Sequence, residues 1–506
     1  MMDYIIVQAG GKGTRLGYLT KNKPKALVPV DNCPMIFHLF SRFPDKKFVI
    51  IADYHKDVMR EYLEVFCDIK YQIVDADGTG TCAGVAQALE LIPQEEPFML
   101  VWSDLILPSG FRLPPEYADE GSRPDQNYIG ISGTFPCRWK YEDGILEEES
   151  STEHGVAGFF LFPGKERMSG VPRSGELVRW MQGEKMQFET LSLAGTREYG
   201  LLSEYEKLKR EKCRPFNKMT IEGDVVVKEG ITEQGKKLAQ RECAWYEQAK
   251  NLGITALPAI YGTNPLKMEY IRGKNIYECG MDFEQKKRIL HILVESLKKL
   301  HESSRKRSDS FSRKEAYFNK TFDRIDRIRN LVPFADQERI IVNGKECRNV
   351  FYYRRELEKR LEELTADEFA FIHGDCTFSN IMLREDGSPV LIDPRGYFGY
   401  SKMYGDVLYD WAKLYYSIRG NYDRFNLKDF RLSIGEEDVV LEIASNHWED
   451  MEELFFELTG ADRYEVKLVH AVIWLSLTTY AWQDYDSVCG AFYNGIYYLE
   501  DVLDGR

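Results

Sequence analysis

Phe371-Ile-His-Gly-Asp-Cys-Thr-Phe-Ser-Asn-Ile-Met-Leu383, followed a few residues later by Val390-Leu-Ile-Asp-Pro394, decides how the second half of this sequence folds. An apolar run ends in a His-Gly-Asp loop, Asn380 follows shortly after, and a second apolar run ends at Asp393. Phosphoryl transfer needs a carboxylate that orients a hydroxyl and accepts its proton. It also needs oxygen ligands that hold magnesium against nucleotide phosphates. The spacing offers both: Asp375 as the base, with Asn380 and Asp393 as metal ligands once a hairpin brings the two runs together. Such an ordered string arises by chance in roughly one chain in a thousand of this size. Two carboxylates set against apolar strands are also costly unless a cation compensates.

Upstream of this string the chain continues in a compatible order. Strand-like Met219 to Ile221 and Val225 to Val227 precede a long helical segment around Gly235 to Leu252. Beyond about residue 280 the pattern is mainly helical, with amphipathic stretches at Phe283 to His301 and Tyr353 to Leu364. The string resembles the aminoglycoside phosphotransferase and choline kinase superfamily, whose bilobed fold is shared with protein kinases. The resemblance covers about residues 215 to 506. It implies an ATP-contacting lysine on a strand, supplied by Lys228 in Val225-Val-Val-Lys-Glu229. It also implies a helix glutamate paired with it, best matched by Glu242, with Glu247 as the fallback. Leu266-Lys-Met-Glu-Tyr-Ile-Arg-Gly273 looks like the hinge that contacts adenine through the backbone of Glu269 and Ile271, and Leu300-His301 looks like a structural helix-end signature. No glycine-rich loop precedes Lys228.

The first half reads differently. Tyr4 to Val7, Phe48 to Ala52, Tyr71 to Val74 and Phe98 to Trp102 are short apolar runs separated by helical patterns at His55 to Phe66 and Ala83 to Leu91. Buried strands alternating with helices predict an α/β domain built on a mostly parallel sheet. Directly after the first strand comes Gln8-Ala-Gly-Gly-Lys-Gly-Thr-Arg-Leu-Gly17, then Asn22-Lys-Pro-Lys-Ala-Leu-Val-Pro-Val30. Glycines let backbone N–H groups approach phosphates. Lys12, Arg15 and Lys25 add the positive charge that a triphosphate and departing pyrophosphate require. Neither the P-loop nor the GxGxxG pattern is met.

These two strings resemble the Rossmann-like nucleotidyltransferases that activate sugar phosphates and phosphocholine, over about residues 1 to 212. The resemblance implies that Gly11, Gly13, Thr14 and Arg15 wrap the triphosphate and that Lys25 contacts the phosphates around the transferred phosphorus. It makes Asp104 a magnesium ligand, Gly80 and Thr81 base readers, and Gly158 a neighbour of the acceptor. Where the family carries a second metal aspartate, this chain offers Glu198.

The composition sets limits. With 506 residues, two domains are expected, 1–212 and 213–506, the latter split into an N-lobe to about residue 275 and a C-lobe beyond. They meet in a charged helical run, Tyr205-Glu-Lys-Leu-Lys-Arg-Glu-Lys212. The net charge of −14 disfavours nucleic acid and anionic membranes as partners. The ten cysteines form no CxxC pair and no zinc spacing. With no signal-peptide pattern and no apolar run long enough to span a bilayer, a cytoplasmic location is expected. Self-association is left open.

Together the halves predict consecutive steps: ATP-dependent phosphorylation of a small hydroxyl compound, then nucleotidyl transfer to the new phosphate from a second triphosphate (CTP, GTP or UTP), both with Mg2+. The product is an activated precursor for a surface glycan such as a capsule. A sugar or polyol is the favoured substrate. The aromatics Trp411, Tyr415, Tyr416, Trp474, Tyr480, Trp482 and Tyr485 keep choline as an alternative, because a quaternary ammonium is bound by aromatic faces. A third reading makes the first domain a nucleotide-binding relic. The basic stretch Ser304 to Lys314 reads as a solvated face.

Overall fold

A computed structural model describes residues 2–208 and 217–504; the predicted junction at 212/213 and the end of its charged run lie outside them. The described residues form two compact units, one of residues up to 208 together with Trp482–Asp486, the other of the remainder. No helix among the described residues is long and apolar enough to cross a membrane.

In the first unit, strands β1 (Tyr4–Gln8), β2 (Lys47–Ala52), β3 (Tyr71–Asp75), β4 (Phe98–Trp102), β5 (Tyr128–Ile131), β6 (Val156–Phe162) and β7 (Glu189–Ser192) form one sheet in the order β7-β5-β6-β4-β1-β2-β3. β1 pairs in parallel with both β2 and β4, in register Tyr4↔Lys47 and Tyr4↔Phe98. β6 runs antiparallel to both β4 and β5. Every residue of β6 is buried, as are Ile5, Ile6 and Val7 of β1, so the centre of the sheet is covered on both faces. Helix α1 (Lys56–Phe66) connects β2 to β3, and α2 (Thr81–Glu90) connects β3 to β4. The doubly covered sheet leaves the loops after β1 and β4 side by side, the usual place for ligands in such folds.

The second unit is bilobed. Strands β8 (Asn217–Glu222) and β9 (Val225–Gly230) form a tight hairpin that extends through β10 (Ile260–Thr263) and β11 (Leu266–Glu269) into a four-stranded antiparallel sheet. Helix α3 (Glu233–Asn251) packs on β9, its first turn capped by Thr232 accepting from the Gly235 N–H. The C-lobe is mainly helical: α4 (Phe283–Ser303), begun by an Asp282/Gln285 capping box, then α5 (Lys320–Arg327), α6 (Val407–Ile418), α7 (Arg463–Leu477) and α8 (Tyr485–Asp504), of which all but the first two residues group with this unit. Strand Glu368–Phe371 leads into the His373 loop. The hairpin Ile381–Arg384/Pro389–Leu391 follows it. Arg305–Arg307, in the stretch read as solvated, is exposed but adds a short strand to Glu368–Phe371.

Candidate active sites

In the first unit the loop after β1 turns at Gly13, whose φ of 60° favours glycine. A Cβ there would lie 3.0 Å from Lys25 Cβ and from Thr20 Cγ2, so the turn seats directly against the lysine. Gly11, Thr14 and Arg15 are exposed along the same loop. Lys25 Nζ hydrogen-bonds Asp104 Oδ2 and lies 3.7 Å from Glu198 Oε1. Glu198 arrives there because Arg197–Glu198 pairs antiparallel with Leu105–Ile106, which sets Glu198 opposite the residue after Asp104.

Burial opposes ionisation of Asp104, but the charge and hydrogen bond of Lys25 outweigh it and hold the carboxyl below its ordinary range. Glu198 shifts the other way, raised by burial and then by the charge of Asp104. Asp104 Oδ1 is buried without a hydrogen-bond partner. An orphaned carboxylate oxygen beside a second carboxyl is a fit for magnesium, which takes one or two protein carboxylates and fills its shell with water and phosphate oxygens. Among the described residues, no three His, Cys, Asp or Glu side chains gather into a closed metal site.

The other predicted residues of this unit have visible local duties. Gly80 backs onto the Gly175 carbonyl, which a Cβ would approach to 2.3 Å, and Thr81 Oγ1 accepts from the Leu177 N–H at 2.8 Å. Base contacts by this loop would therefore fall to its backbone. At Gly158 a Cβ would lie 1.9 Å from Trp102 Cδ2, so this glycine seats the indole two residues before Asp104.

In the second unit, β9 carries Lys228 and α3 carries Glu242. Lys228 Nζ is 2.7 Å from Glu242 Oε2 and 2.8 Å from Asp393 Oδ1. Burial would drive the lysine neutral, but Asp393 and Glu242 reverse this and hold its pKa above the ordinary value. Glu247, the fallback, is exposed. The predicted hairpin brings Asp393 beside Asn380: the Ile392 N–H donates to the Asn380 carbonyl at 2.9 Å. Asn380 Nδ2 donates to Asp375 Oδ2 at 2.9 Å, and Lys413 Nζ lies 2.9 Å from Asp375 Oδ1. Asp375, Asn380 and Asp393 thus line one cleft with Lys228 and Glu242, of about 300 Å3. One carboxylate paired with an asparagine again suits magnesium carried in with phosphates. A second cavity, of about 450 Å3, shares Lys228 and Asp393 and is lined by Val226, Met268, Ile271 and Met382, an apolar slot of the kind a purine fills. Glu269 lines it too, but its carboxylate pairs with Arg384 and its N–H donates to the Ala259 carbonyl at 2.8 Å. Any base contact there falls to the Glu269 carbonyl or to Ile271.

The residues that hold the His373–Asn380 loop carry no signal in the sequence. Asp410, fully buried on α6, accepts from the N–H groups of His373 (2.9 Å) and Gly374 (2.7 Å) and from His301 Nε2 (2.9 Å). His301, read as structural, is therefore the outer end of this clamp. His373 Nε2 donates to the Ile392 carbonyl at 3.0 Å, and its Nδ1 accepts from the Asp375 N–H at 3.2 Å, a neutral tautomer consistent with burial lowering its pKa. Asp423 accepts from the Ser379 N–H at 2.7 Å, fixing the residue before Asn380. These partners lie roughly 35 to 110 positions away in sequence, so no local spacing could reveal them. Of the seven aromatics that could form an ammonium box, Tyr416 and Tyr480 line the cleft, Trp411, Tyr415 and Trp474 are buried in the core, and Trp482 (half-buried) and Tyr485 (buried) group with the first unit.

Comparison with known proteins follows the same division. Residues 4–120 match the nucleotidyl transferase family and residues 222–440 match the phosphotransferase enzyme family. The chain therefore joins a domain of each, as the two resemblances implied. Among curated proteins it is similar to the UTP--glucose-1-phosphate uridylyltransferase AglF of Haloferax volcanii, with 39% identity over 62 residues, 12% of this chain and 26% of that one. It is also similar to the bifunctional protein GlmU of Methanocaldococcus jannaschii, with 32% identity over 108 residues, 21% of this chain and 25% of that one. The chain spans about a quarter of the length of these relatives. Among solved structures, it is similar to the inositol-1-phosphate CTP transferase from T. maritima (16% identity, TM-score 0.33, covering 40% of this chain and 91% of that one). Another is the CTP:phosphocholine cytidylyltransferase from Streptococcus pneumoniae (20% identity, TM-score 0.32, covering 41% and 98%).

Proposed function

We propose that the chain is a bifunctional transferase that phosphorylates a small hydroxyl compound with ATP and then couples the new phosphate to a nucleotide. In the first step Asp375 accepts the hydroxyl proton. The hydroxyl oxygen bonds to the γ-phosphorus, the bond to the β–γ bridging oxygen breaks, and ADP leaves. Lys228, set by Glu242, steadies the nucleotide phosphates, and Lys413 orients Asp375 through their ion pair. In the second step an oxygen of the new phosphate attacks the α-phosphorus of CTP, GTP or UTP, and pyrophosphate leaves. Arg15 and Lys25 meet the charge that builds there. Magnesium, held by Asp104 and Glu198 in one site and by Asn380 and Asp393 in the other, would supply further charge neutralisation.

The observation that carries this reading is that each unit keeps its own complete set of charged partners: Lys25–Asp104–Glu198 in one, Asp375–Lys413 and Glu242–Lys228–Asp393 in the other. An inactive relic has no need to maintain such costly buried pairs. We favour a sugar or polyol over choline as the substrate, and an activated glycan precursor as the product. Most of the ammonium-box aromatics are committed to the core, which weakens the choline alternative. The net charge of −14 fits a soluble enzyme that meets no nucleic acid or membrane, in keeping with a cytoplasmic setting. The test is product mass after incubation with ATP, each second triphosphate and a substrate panel. Asp375→Asn should stop phosphorylation of the free substrate but not use of the phosphorylated one, and Asp104→Ala should do the reverse. If either variant abolishes both steps, or neither step, the two-site reading is wrong.

A further inference from the structure

The acceptor side of the kinase cleft carries more positive charge than phosphoryl transfer accounts for. Lys228 is matched by Glu242 and Asp393, and Lys413 is matched by Asp375. Arg324 and Arg395 line the same cleft, and Lys320 lines a small adjoining cavity with Arg395, Tyr397 and Tyr409. Among the described residues no carboxylate lies within ion-pair distance of Arg324, Arg395 or Lys320. The acid whose field reaches Lys320 is Glu315, which hydrogen-bonds Asn319 and Tyr400 instead.

The three cations are held by neutral groups. Arg395 donates to the hydroxyls of Tyr409 (2.9 Å) and Tyr397 (3.0 Å). Arg324 donates to the carbonyl and to the hydroxyl of Ser476, the latter at 3.2 Å, and lies 5.9 Å from the Tyr480 ring centre. Lys320 sits 5.7 Å from the Tyr409 ring centre. Burial, and then the charge of Arg395, push the pKa of both Lys320 and Arg324 below their ordinary values. Glu315 lines the small cavity and the charge of Asp375 reaches Arg395, yet neither carboxylate is in ion-pair contact with these cations, so partly buried positive charge converges there without a direct counter-ion, a site built to receive an anion. The nucleotide is not that anion for all three. The purine-shaped cavity opens from Lys228 and Asp393 between β9, β11 and the hairpin that ends at Asp393, whereas Arg324, Lys320, Ser476 and Tyr480 come from α5, α7 and the turn after it.

We propose that the compound phosphorylated at Asp375 carries an anionic group of its own, a carboxylate or a phosphate, held by Arg324, Arg395 and Lys320. This rests on the kinase reading above and narrows its substrate class: the acceptor is a hydroxy acid, a sugar acid or a polyol phosphate, not a neutral polyol and not a quaternary ammonium. A planar guanidinium offers paired donors to either anion, and the tyrosine hydroxyls already orient that of Arg395. A cation such as choline would enter against this field.

The experiment is ATP-dependent phosphorylation by the full chain of matched compounds differing only in charge: glycerate and glycerol 3-phosphate against glycerol, gluconate against glucitol, with choline alongside. Further hydroxy acids and sugar acids extend each arm. At least one anion should be phosphorylated with a kcat/KM tenfold or more above its neutral counterpart, and the arm it belongs to separates carboxylate from phosphate recognition. Arg324→Gln should raise KM for that anion at least tenfold while KM for ATP moves less than twofold. Preferential phosphorylation of choline or of the neutral partners overturns the inference and leaves the kinase reading standing. Phosphorylation of no compound of any charge overturns the kinase reading as well. The wild-type panel decides between these outcomes whether or not the variant folds.

Discussion

Asp410 offers the sharpest test of how the kinase loop is held. Asp410→Asn keeps the shape of a fully buried side chain, so no cavity enters the account. The carboxylate uses both oxygens: Oδ2 for the His373 N–H and His301 Nε2, Oδ1 for the Gly374 N–H. An amide has one acceptor oxygen. Whichever way it is turned, a buried donor faces the new NH2 group and the remaining bonds lose their charge assistance. The orphaned donor costs about 1–3 kcal/mol and each of the two weakened bonds about 1 kcal/mol, so about 3–5 kcal/mol in all. For a unit of this size that is a fall in melting temperature of about 6–10 °C. The loop so loosened carries Asp375, and a misplacement of about 1 Å is worth about a hundredfold in rate. Thermal melting followed by tryptophan fluorescence, together with separate assays of substrate phosphorylation and pyrophosphate release, reads all three consequences. The expected pattern is a lower melting transition and a crippled kinase, with pyrophosphate release from phosphorylated substrate retained. A variant that melts within a degree of the parent and phosphorylates at the parental rate would refute the clamp.

Three further predictions follow from geometry. Lys25→Met leaves Asp104 and Glu198 facing each other without their shared cation, so pyrophosphate release should fall by about 100- to 1,000-fold while phosphorylation is retained, read in the same two assays. Gly158→Ala drives a Cβ into the Trp102 ring at a φ of 77°, and should destabilise by about 2–5 kcal/mol from overpacking plus left-handed strain, measured as a lowered melting temperature. His470, buried and accepting from Trp474 Nε1 at 3.0 Å, is pushed down to about 3 by burial and then by the charges of Arg419 and Lys467. The unfolded chain therefore takes up a proton below about pH 6.5 that the folded one refuses. Its share of stability is complete above that pH and is lost at about 1.4 kcal/mol per unit as pH falls toward 3. His470→Gln should make melting between pH 7 and 5 less pH-dependent than in the parent; equal slopes would count against it.

Much of the scaffold was legible because it rests on periodicity. The runs at Tyr4, Phe48, Tyr71 and Phe98 are strands within a residue of where the apolar pattern places them, and the helix expected from Gly235 to Leu252 spans Glu233–Asn251. Direction was not legible. Val156 to Phe162 is apolar throughout because both faces are covered, and that pattern is the same whether the strand runs parallel or, as here, antiparallel to its neighbours. The loops could be read because their chemistry is local: Gly13 beside Lys25, and Asp393 brought to Asn380 by the hairpin that begins ten residues after strand Glu368–Phe371 ends. The junction could not be followed, since residues 209–216 lie outside the described part, and Trp482–Asp486 group with the first unit although the sequence places them deep in the second.

Charge shows most plainly what a sequence withholds. A net −14 argues against polyanionic partners at long range, and that inference concerns the average field. Inside the kinase cleft the balance inverts, because the fold gathers Arg324 and Lys320 from one helix and Arg395 from the loop after Asp393, while the carboxylates there are already taken by Lys228 and Lys413. In sequence, Arg324 is one basic residue in an amphipathic helix, and Arg395 is one residue beyond Asp393 and its proline. Neither has a spacing that marks it as a binding group. Only their convergence next to Asp375 does so. An acidic protein can therefore hold a small anion in a pocket shielded from its own surface, and it is that local field which sets the acceptor's charge.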